Sequence, residues 1–359
     1  MMDSFSAADQ TFMARAIDVA RQNLGATGSN PSVGCVLVKD GVVLAEAATS
    51  PSGRPHAERN ALNIAGVAAR GATAYVTLEP CSHHGKTPPC AGGLIEAGIA
   101  RVVVAVDDPD IRVSGRGYQM LRDAGIAVET GLLRNEAKRG LIGYLNRQVK
   151  KRPYVILKLA VSTDGMIGRK GEGQVAITGP EAKQFTYQQR AESDAILVGI
   201  GTALADDPEL TVRIAGSEDR SPIRIILDEQ LRLLLGSKLV QSAGQVPVIV
   251  VSSKPDRDRA EALRAAGVEV LELAGLEALL DELGARGISQ LFVEGGASVA
   301  KSFVDAHLVD RVILLQGQGV IGETGVETPI NRQNIPTEFQ LIEESLLGTD
   351  QCSIYERPI

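Results

Sequence analysis

Short apolar runs rich in β-branched residues alternate with helical patterns along this 359-residue chain. That alternation constrains the fold more than any other feature, because strands joined through helices have to lie in layers. Residues 8–24 carry an amphipathic helical pattern closed by Gly25. Residues 33–38 and 42–47 flank Asp40-Gly41, a dipeptide suited to a two-residue hairpin, so the first sheet starts antiparallel. Helices are predicted over 57–69 and 90–97, and strands over 73–78 and 101–106. Helical crossovers between those strands make them parallel. A further helix over 132–149 runs into Lys150-Lys151-Arg152-Pro153, a charged stretch closed by proline that reads as a linker. The division falls there, into domains 1–150 and 151–359. Strands are predicted in the second domain at 154–159, 195–198, 223–227, 246–251, 290–293 and 311–315, so it too is α/β.

Charge and composition narrow the function classes. The 37 basic against 44 acidic side chains leave a formal charge of −7, and only 3% of residues are aromatic, with no Trp, which disfavours nucleic acid as a partner. No window approaches the roughly 18 apolar residues of a membrane span, and residues 1–10 lack a basic region followed by an apolar run. The expectation is a cytoplasmic enzyme that engages neither nucleic acid nor membrane. Four cysteines do not make a disulfide framework in so long a chain. Cys35 lies in an apolar strand and is expected in the core, while Cys352 shows no evident partner.

The strongest chemistry lies in Pro55-His56-Ala57-Glu58, then Glu79-Pro80-Cys81 and, nine residues on, Cys90. One imidazole and two thiolates leave a position of tetrahedral zinc for water, whose pKa zinc can bring from about 15.7 to about 7. A carboxylate must then move protons, and Glu58 is placed for it. Residues two apart point to different faces inside a helix, so His56 and Glu58 must sit at a helix start, which Pro55 supports. Cys81 is expected at a second helix entrance, where positive helix ends favour thiolates. Zinc nucleobase deaminases share His-x-Glu but separate their cysteines by two residues. Here eight intervene, Ser82 to Pro89, including His83 and His84 as competing candidates. The plainer alternative is a closed structural zinc site or two unrelated buried thiols.

Asn30-Pro31-Ser32-Val33-Gly34, Pro55-His56-Ala57-Glu58 and the run from Thr77 through Glu79-Pro80-Cys81-Ser82-His83-His84-Gly85-Lys86-Thr87-Pro88-Pro89-Cys90 together resemble the bifunctional deaminase/reductase family of riboflavin biosynthesis. The resemblance continues through Leu157-Lys158-Leu159-Ala160, Ser162-Thr163-Asp164-Gly165, Leu204-Ala205-Asp206-Asp207-Pro208 and Val293-Glu294-Gly295-Gly296, covering nearly the whole chain. It implies a cytidine-deaminase-like α/β/α domain followed by a dihydrofolate-reductase-like α/β domain. The implied substrate is a phosphoribosylated pyrimidine, which loses its 2-amino group in the first domain and has its ribosyl group reduced to ribityl with NADPH in the second. It also implies a homo-oligomer.

Carried over position by position, the resemblance makes His56, Cys81 and Cys90 the Zn2+ ligands and Glu58 the general acid/base. Asn30 and Lys86 become substrate contacts, although a lysine in a polar loop is as readily explained by solvation. In the second domain Ala160, Thr202, Asp206 and the run Gly296, Ala297, Ser298, Val299, Ala300, Lys301 and Ser302 are implied NADPH contacts. Gly173, Arg190, Leu210, Arg213 and Glu294 are implied substrate contacts. Where many relatives carry a Ser and then a Trp before Ile-Thr, this chain reads Gly173-Gln174-Val175-Ala176-Ile177-Thr178, so nicotinamide packing is expected to differ.

Read without the resemblance, the second half says less, since it has no Gly-x-Gly-x-x-Gly fingerprint. Val293-Glu294-Gly295-Gly296-Ala297-Ser298 predicts a strand passing into a helix whose N-terminus suits phosphate, although such glycine pairs are often ordinary turns. Asp164-Gly165 reads as a type I′ hairpin turn, Asp206-Asp207-Pro208 as a solvated turn, and Arg190 and Arg213, taken singly, as surface residues. Two rival readings stand beside the resemblance: a nucleic-acid editing deaminase, opposed by charge and aromatic poverty, and a zinc-stabilised binding protein without turnover.

Overall fold

Asp40 and Gly41 both adopt positive φ, +50° and +76°, the backbone a two-residue hairpin requires, and they fold β1 (Gly34–Lys39) back on β2 (Val42–Ala48). The computed structural model of the protein describes residues 5–82, 88–169, 171, 173 and 175–358. It divides into two units at Lys151 and Arg152.

In the first unit, α1 (Ala7–Arg21) precedes the hairpin, and α2 (Ala57–Ala65), β3 (Thr73–Leu78), α3 (Cys90–Glu96), β4 (Arg101–Val106), α4 (Arg116–Asp123), β5 (Ala127–Thr130) and α5 (Arg134–Lys150) follow it. The sheet order is β2-β1-β3-β4-β5, with β1 antiparallel to both neighbours and β3, β4 and β5 parallel. α1 packs with α5, and α2 with α3 and α3 with α4, so helices cover both faces. That cover explains why β3 and β4 are apolar almost throughout and buried on both sides. Val102, Val103, Val104 and Val106 are all nearly inaccessible, each contributing roughly 1.5–3 kcal/mol of burial. Cys35 lies fully buried in β1.

Three helix ends differ from the sequence reading by two residues or more. α1 stops at Arg21 instead of reaching 24. α2 ends at Ala65 because Gly66 takes φ +54°, and 66–69 continue as a 3-10 turn. α5 starts two residues late because Leu133 sits at φ +49°. The sequence reading did not place α4 or β5: Arg116–Asp123 is short and mostly polar, although Tyr118 and Leu121 share its buried face, and Ala127–Thr130 is a four-residue edge strand.

The second unit runs β6 (Tyr154–Val161), β7 (Met166–Arg169), α6 (Pro180–Ala191), β8 (Ala195–Gly199), α7 (Ile200–Asp206), β9 (Ile223–Leu227), α8 (Lys238–Gln241), β10 (Val248–Ser252), α9 (Arg257–Ala265), β11 (Glu269–Glu272), α10 (Leu276–Ala285), β12 (Gln290–Val293), α11 (Ala297–Asp305), β13 (Arg311–Gln316), β14 (Gly325–Glu327), β15 (Gln340–Leu347) and β16 (Asp350–Glu356). Its large sheet has the order β11-β10-β9-β8-β12-β6-β13-β16-β15, parallel from β11 to β13 and closed by an antiparallel hairpin. β7 and β14 form a small separate pair. Asp164-Gly165 is a turn, but not type I′, since only Gly165 has positive φ; Asp164 instead accepts hydrogen bonds from Ser162 Oγ and from the Ile321 and Gly322 amides. Among the described residues no helix is long and apolar enough to cross a membrane.

Candidate active site

His56 is the N-cap of α2, with extended backbone, and Glu58 occupies the helix's first turn. The sharp change of backbone direction at that cap lets residues two apart serve one site. β3 delivers Glu79-Pro80-Cys81 from the sheet's carboxyl edge, and Cys90 is the first residue of α3. Cys81 is not itself at a helix start, in contrast to the sequence reading. It lies in the loop before α3, where its sulfur accepts a hydrogen bond from the Cys90 amide at 3.3 Å and its carbonyl accepts one from Ala91. The positive end of α3 still reaches it through that amide.

The three ligand atoms lie within 4.8 Å of one another. His56 Nδ1 is 3.6 Å from Cys81 Sγ and 3.5 Å from Cys90 Sγ. A ring nitrogen has one in-plane bonding direction and cannot serve two sulfurs by hydrogen bonding at once. A tetrahedral zinc, with bonds of about 2.3 Å to sulfur and about 2.0–2.1 Å to nitrogen, would place nitrogen and sulfur about 3.6 Å apart. The donor set and its spacing therefore fit zinc. Electrostatics agree: a hydrogen bond from the Cys90 thiol above all holds Cys81 low as a thiolate, while Cys81 and burial push Cys90 up, so the two sulfurs share a proton that a cation would displace. Burial, then the Cys81 thiolate, raises the Glu58 carboxyl to about 6, near the range where a group both takes and gives protons.

A cavity of about 470 Å³ opens onto this cluster, lined by Asn30, His56, Glu58, Glu79, Cys81, Asp108, Arg112, Tyr144 and Arg147 among others. Its size suits a small molecule. Asn30 thus lines the same cavity as His56, Glu58 and Cys81. Lys86, His83 and His84 lie outside the described residues. The sequence reading did not single out Asp108, Tyr144 or Arg147. Tyr144 donates to Asp108 at 3.1 Å, and Arg147 comes from α5, far along the chain from His56. No local pattern links them.

The second unit holds a cavity of about 660 Å³ at the carboxyl ends of β6, β8, β9 and β12. Open α/β sheets bind ligands at such edges. Ala160, Gly173, Thr202, Asp206, Glu294, Gly296, Ala297, Ser298 and Val299 all line it. α11 begins at the Gly296 N-cap, as the glycine pair predicts. Gly199 and Gly295 are required there: a Cβ at Gly199 would sit 2.7 Å from Val299 Cγ2, and one at Gly295 2.6 Å from Val299 Cβ. This close approach leaves the α11 N-terminus open to a phosphate-bearing ligand.

Six other residues do not line that cavity. Ala300 is fully buried on the core side of α11, Lys301 pairs with Asp305, and Ser302 donates back to the Ser298 carbonyl, because a helix turns its residues past one face within a single turn. Leu210 is buried at φ +55°, and Arg213 pairs at the surface with Glu209. Arg190 is no surface residue: it lies against Glu294, and both are largely buried. The sequence reading passed over Lys158, which lines the cavity and lies 3.5 Å from Glu294. Its signal was present, a lone cation within an apolar strand. Gly173, Val175 and Ile177 supply small and aliphatic lining where the missing aromatic would stand.

Comparison with known proteins places these features in context. A family model for the cytidine and deoxycytidylate deaminase zinc-binding region matches residues 6–106, and one for the RibD C-terminal domain matches 153–353. The chain is 42% identical to the riboflavin biosynthesis protein RibD of Haemophilus influenzae over 90% of this chain and 89% of that one. With the Escherichia coli RibD it is 40% identical over 96% and 98%. Among solved structures, Acinetobacter baumannii RibD superposes with a TM-score of 0.89 at 36% identity, covering 98% of this chain and 99% of that one. A Thermotoga maritima diaminohydroxyphosphoribosylaminopyrimidine deaminase/5-amino-6-(5-phosphoribosylamino)uracil reductase gives 0.86 at 33%, with the same coverage.

Proposed function

We propose, for a chain that belongs to the RibD family of riboflavin biosynthesis, pyrimidine deaminase first and reductase second, an assignment of the two reactions to particular residues. The first unit deaminates 2,5-diamino-6-(5-phosphoribosylamino)pyrimidin-4-one to 5-amino-6-(5-phosphoribosylamino)uracil, and the second reduces that product's ribosyl group to ribityl with NADPH. The observation that carries the reading is the convergence of His56, Cys81 and Cys90 beside buried Glu58.

Zinc held by those three side chains supplies a Lewis acid that makes water nucleophilic near neutral pH. Glu58, protonated and deprotonated in turn, takes a proton from water and gives it to the departing amine. Asn30 contacts the pyrimidine from the cavity wall, and Lys86 is assigned to the phosphate. In the second unit the amides at the start of α11, from Gly296 to Ser298, bind cofactor phosphate, with Ala160, Thr202 and Asp206 along its length. Glu294 holds Arg190 and Lys158 at the substrate end, where the aliphatic side chains Val175 and Ile177 exclude water from the reducing face.

A charge of −7 and a cavity sized for one nucleotide-like molecule support a small-molecule substrate over nucleic acid, and with them a cytoplasmic setting. β15 is a sheet edge with Leu341, Ile342 and Leu346 exposed, which supports a homo-oligomer.

The test is a single tube: zinc-loaded protein with the diaminopyrimidine phosphoriboside and NADPH, followed for ammonia and for loss of NADPH absorbance. Both signals are expected, ammonia first. Ammonia without NADPH loss overturns the reductase assignment, and no ammonia overturns the deaminase assignment.

A further inference from the structure

We propose that Arg232 reads the 2′-phosphate of the dinucleotide and so sets the second unit's preference for NADPH over NADH, an inference that rests on the reading of the 660 Å³ cavity as a nicotinamide-dinucleotide site. Among the described residues three cations line that cavity: Lys158, Arg169 and Arg232. Lys158 is drawn to Glu294, and Arg169 donates to the Ile321 carbonyl at 2.9 Å. Arg232 is half exposed, its nearest acid is Asp228 at 4.0 Å, and it makes no hydrogen bond to a described residue.

Sheet order places Arg232 at the end a 2′-phosphate would reach. Neighbouring strands run β9-β8-β12-β6. Lys158 and Ala160 belong to β6, and the phosphate-binding start of α11 follows β12. Leu227 and Arg232 close the cavity on the β9 side. Three strand spacings, about 14 Å in all, separate β6 from β9. A dinucleotide with its pyrophosphate at α11 and its nicotinamide over β6 therefore carries its adenosine toward β9.

The turn after β9 is built to present that arginine. Leu231, fully buried, adopts φ +50°, a region that L side chains avoid. It is held there by three bonds: its amide donates to the Asp228 carbonyl at 3.1 Å, its own carbonyl accepts from Arg259 Nε at 2.6 Å, and the Leu233 amide donates to Asp228 Oδ2 at 2.8 Å. An acid beside the ribose would instead favour NADH. Asp228 is buried and accepts from the Leu233 amide, and Glu229 accepts hydrogen bonds from Ser253; neither acid after β9 lines the cavity. Asp206 does line it, from the end of α7, and burial raises its pKa. A guanidinium fork suits a phosphate dianion.

Calorimetric titration of the full-length protein with adenosine 2′,5′-bisphosphate and with adenosine 5′-monophosphate isolates the 2′-phosphate without turnover. The unmodified protein is expected to bind the bisphosphate about 10- to 100-fold more tightly. Arg232→Gln should erase that margin and leave the monophosphate affinity unchanged. Arg232→Lys should keep part of it, since charge survives but the fork does not, and melting temperatures equal to the parent's show that both variants are folded. If Arg232→Gln keeps the full margin, or the unmodified protein binds both probes equally while NADPH still binds, this proposal fails and the dinucleotide reading stands. If neither probe nor NADPH binds, both fail.

Discussion

Glu294 accepts both arms of Arg190, Nε to Oε1 at 2.6 Å and the second arm to Oε2 at 3.2 Å, across 104 residues of sequence. Two side chains each assigned to substrate thus spend their polar groups on one another. Burial alone would raise the Glu294 carboxyl, but Arg190 and Lys158 outweigh it and hold it below its usual value. Glu294→Gln leaves Arg190 buried without its counter-charge. It should destabilise the second unit by roughly 3–5 kcal/mol, read as the fall in urea unfolding free energy. A double-mutant cycle with Arg190→Gln should show strong coupling; additive losses would mean that the pair contributes nothing as a pair.

Gly199 and Gly295 both face Val299, and the clash differs in kind. At Gly199 an added methyl would meet only Val299 Cγ2, whereas at Gly295 it would meet Val299 Cβ itself. Gly199→Ala should cost about 1–3 kcal/mol and weaken NADPH binding, and Val299→Ala should restore both. Gly295→Ala should not be rescued by Val299→Ala, because the offending Cβ remains. Melting curves and NADPH titrations of the four variants decide it.

Glu58→Gln removes the proton carrier but none of the metal's three ligands. Zinc content should stay at the parent's level while ammonia release falls about 10²–10⁴-fold. NADPH oxidation should persist when the deaminated intermediate is supplied. Undiminished ammonia release would show that the protons travel by another route.

Asp9 ties the first unit together at acid-sensitive cost. Arg101 donates to it at 2.6 Å and to Glu129 at 2.7 Å, Tyr75 donates at 2.7 Å, and Asp9 also completes the α1 capping box with Ser6. Arg101 above all holds its carboxyl well below the usual aspartate range. The unfolded chain therefore binds more protons at Asp9 than the native one. The stabilisation is full above about pH 4–5 and is lost as pH falls toward the folded value. Asp9→Asn should lower stability at neutral pH by roughly 1.5–3 kcal/mol and flatten the decline between about pH 5 and 2, measured by urea unfolding across that range. An unchanged slope would place the acid sensitivity elsewhere.

Features governed by neighbours in the chain could be read directly. Asp40-Gly41 specifies its hairpin through backbone preference, β3 and β4 announce themselves by short, mainly apolar runs, and Pro55-His56-Ala57-Glu58 suits a helix start because residues two apart cannot share a site inside a helix. Which charges meet was another matter. Arg190 finds Glu294, Arg101 finds Asp9 and Glu129, and Tyr144 finds Asp108, each through the closure of a sheet and its helices. A guanidinium in a sequence is equally suited to phosphate, carboxylate or water. The choice among them is made by which group packing buries beside it, and that depends on the whole domain rather than on any short stretch of residues.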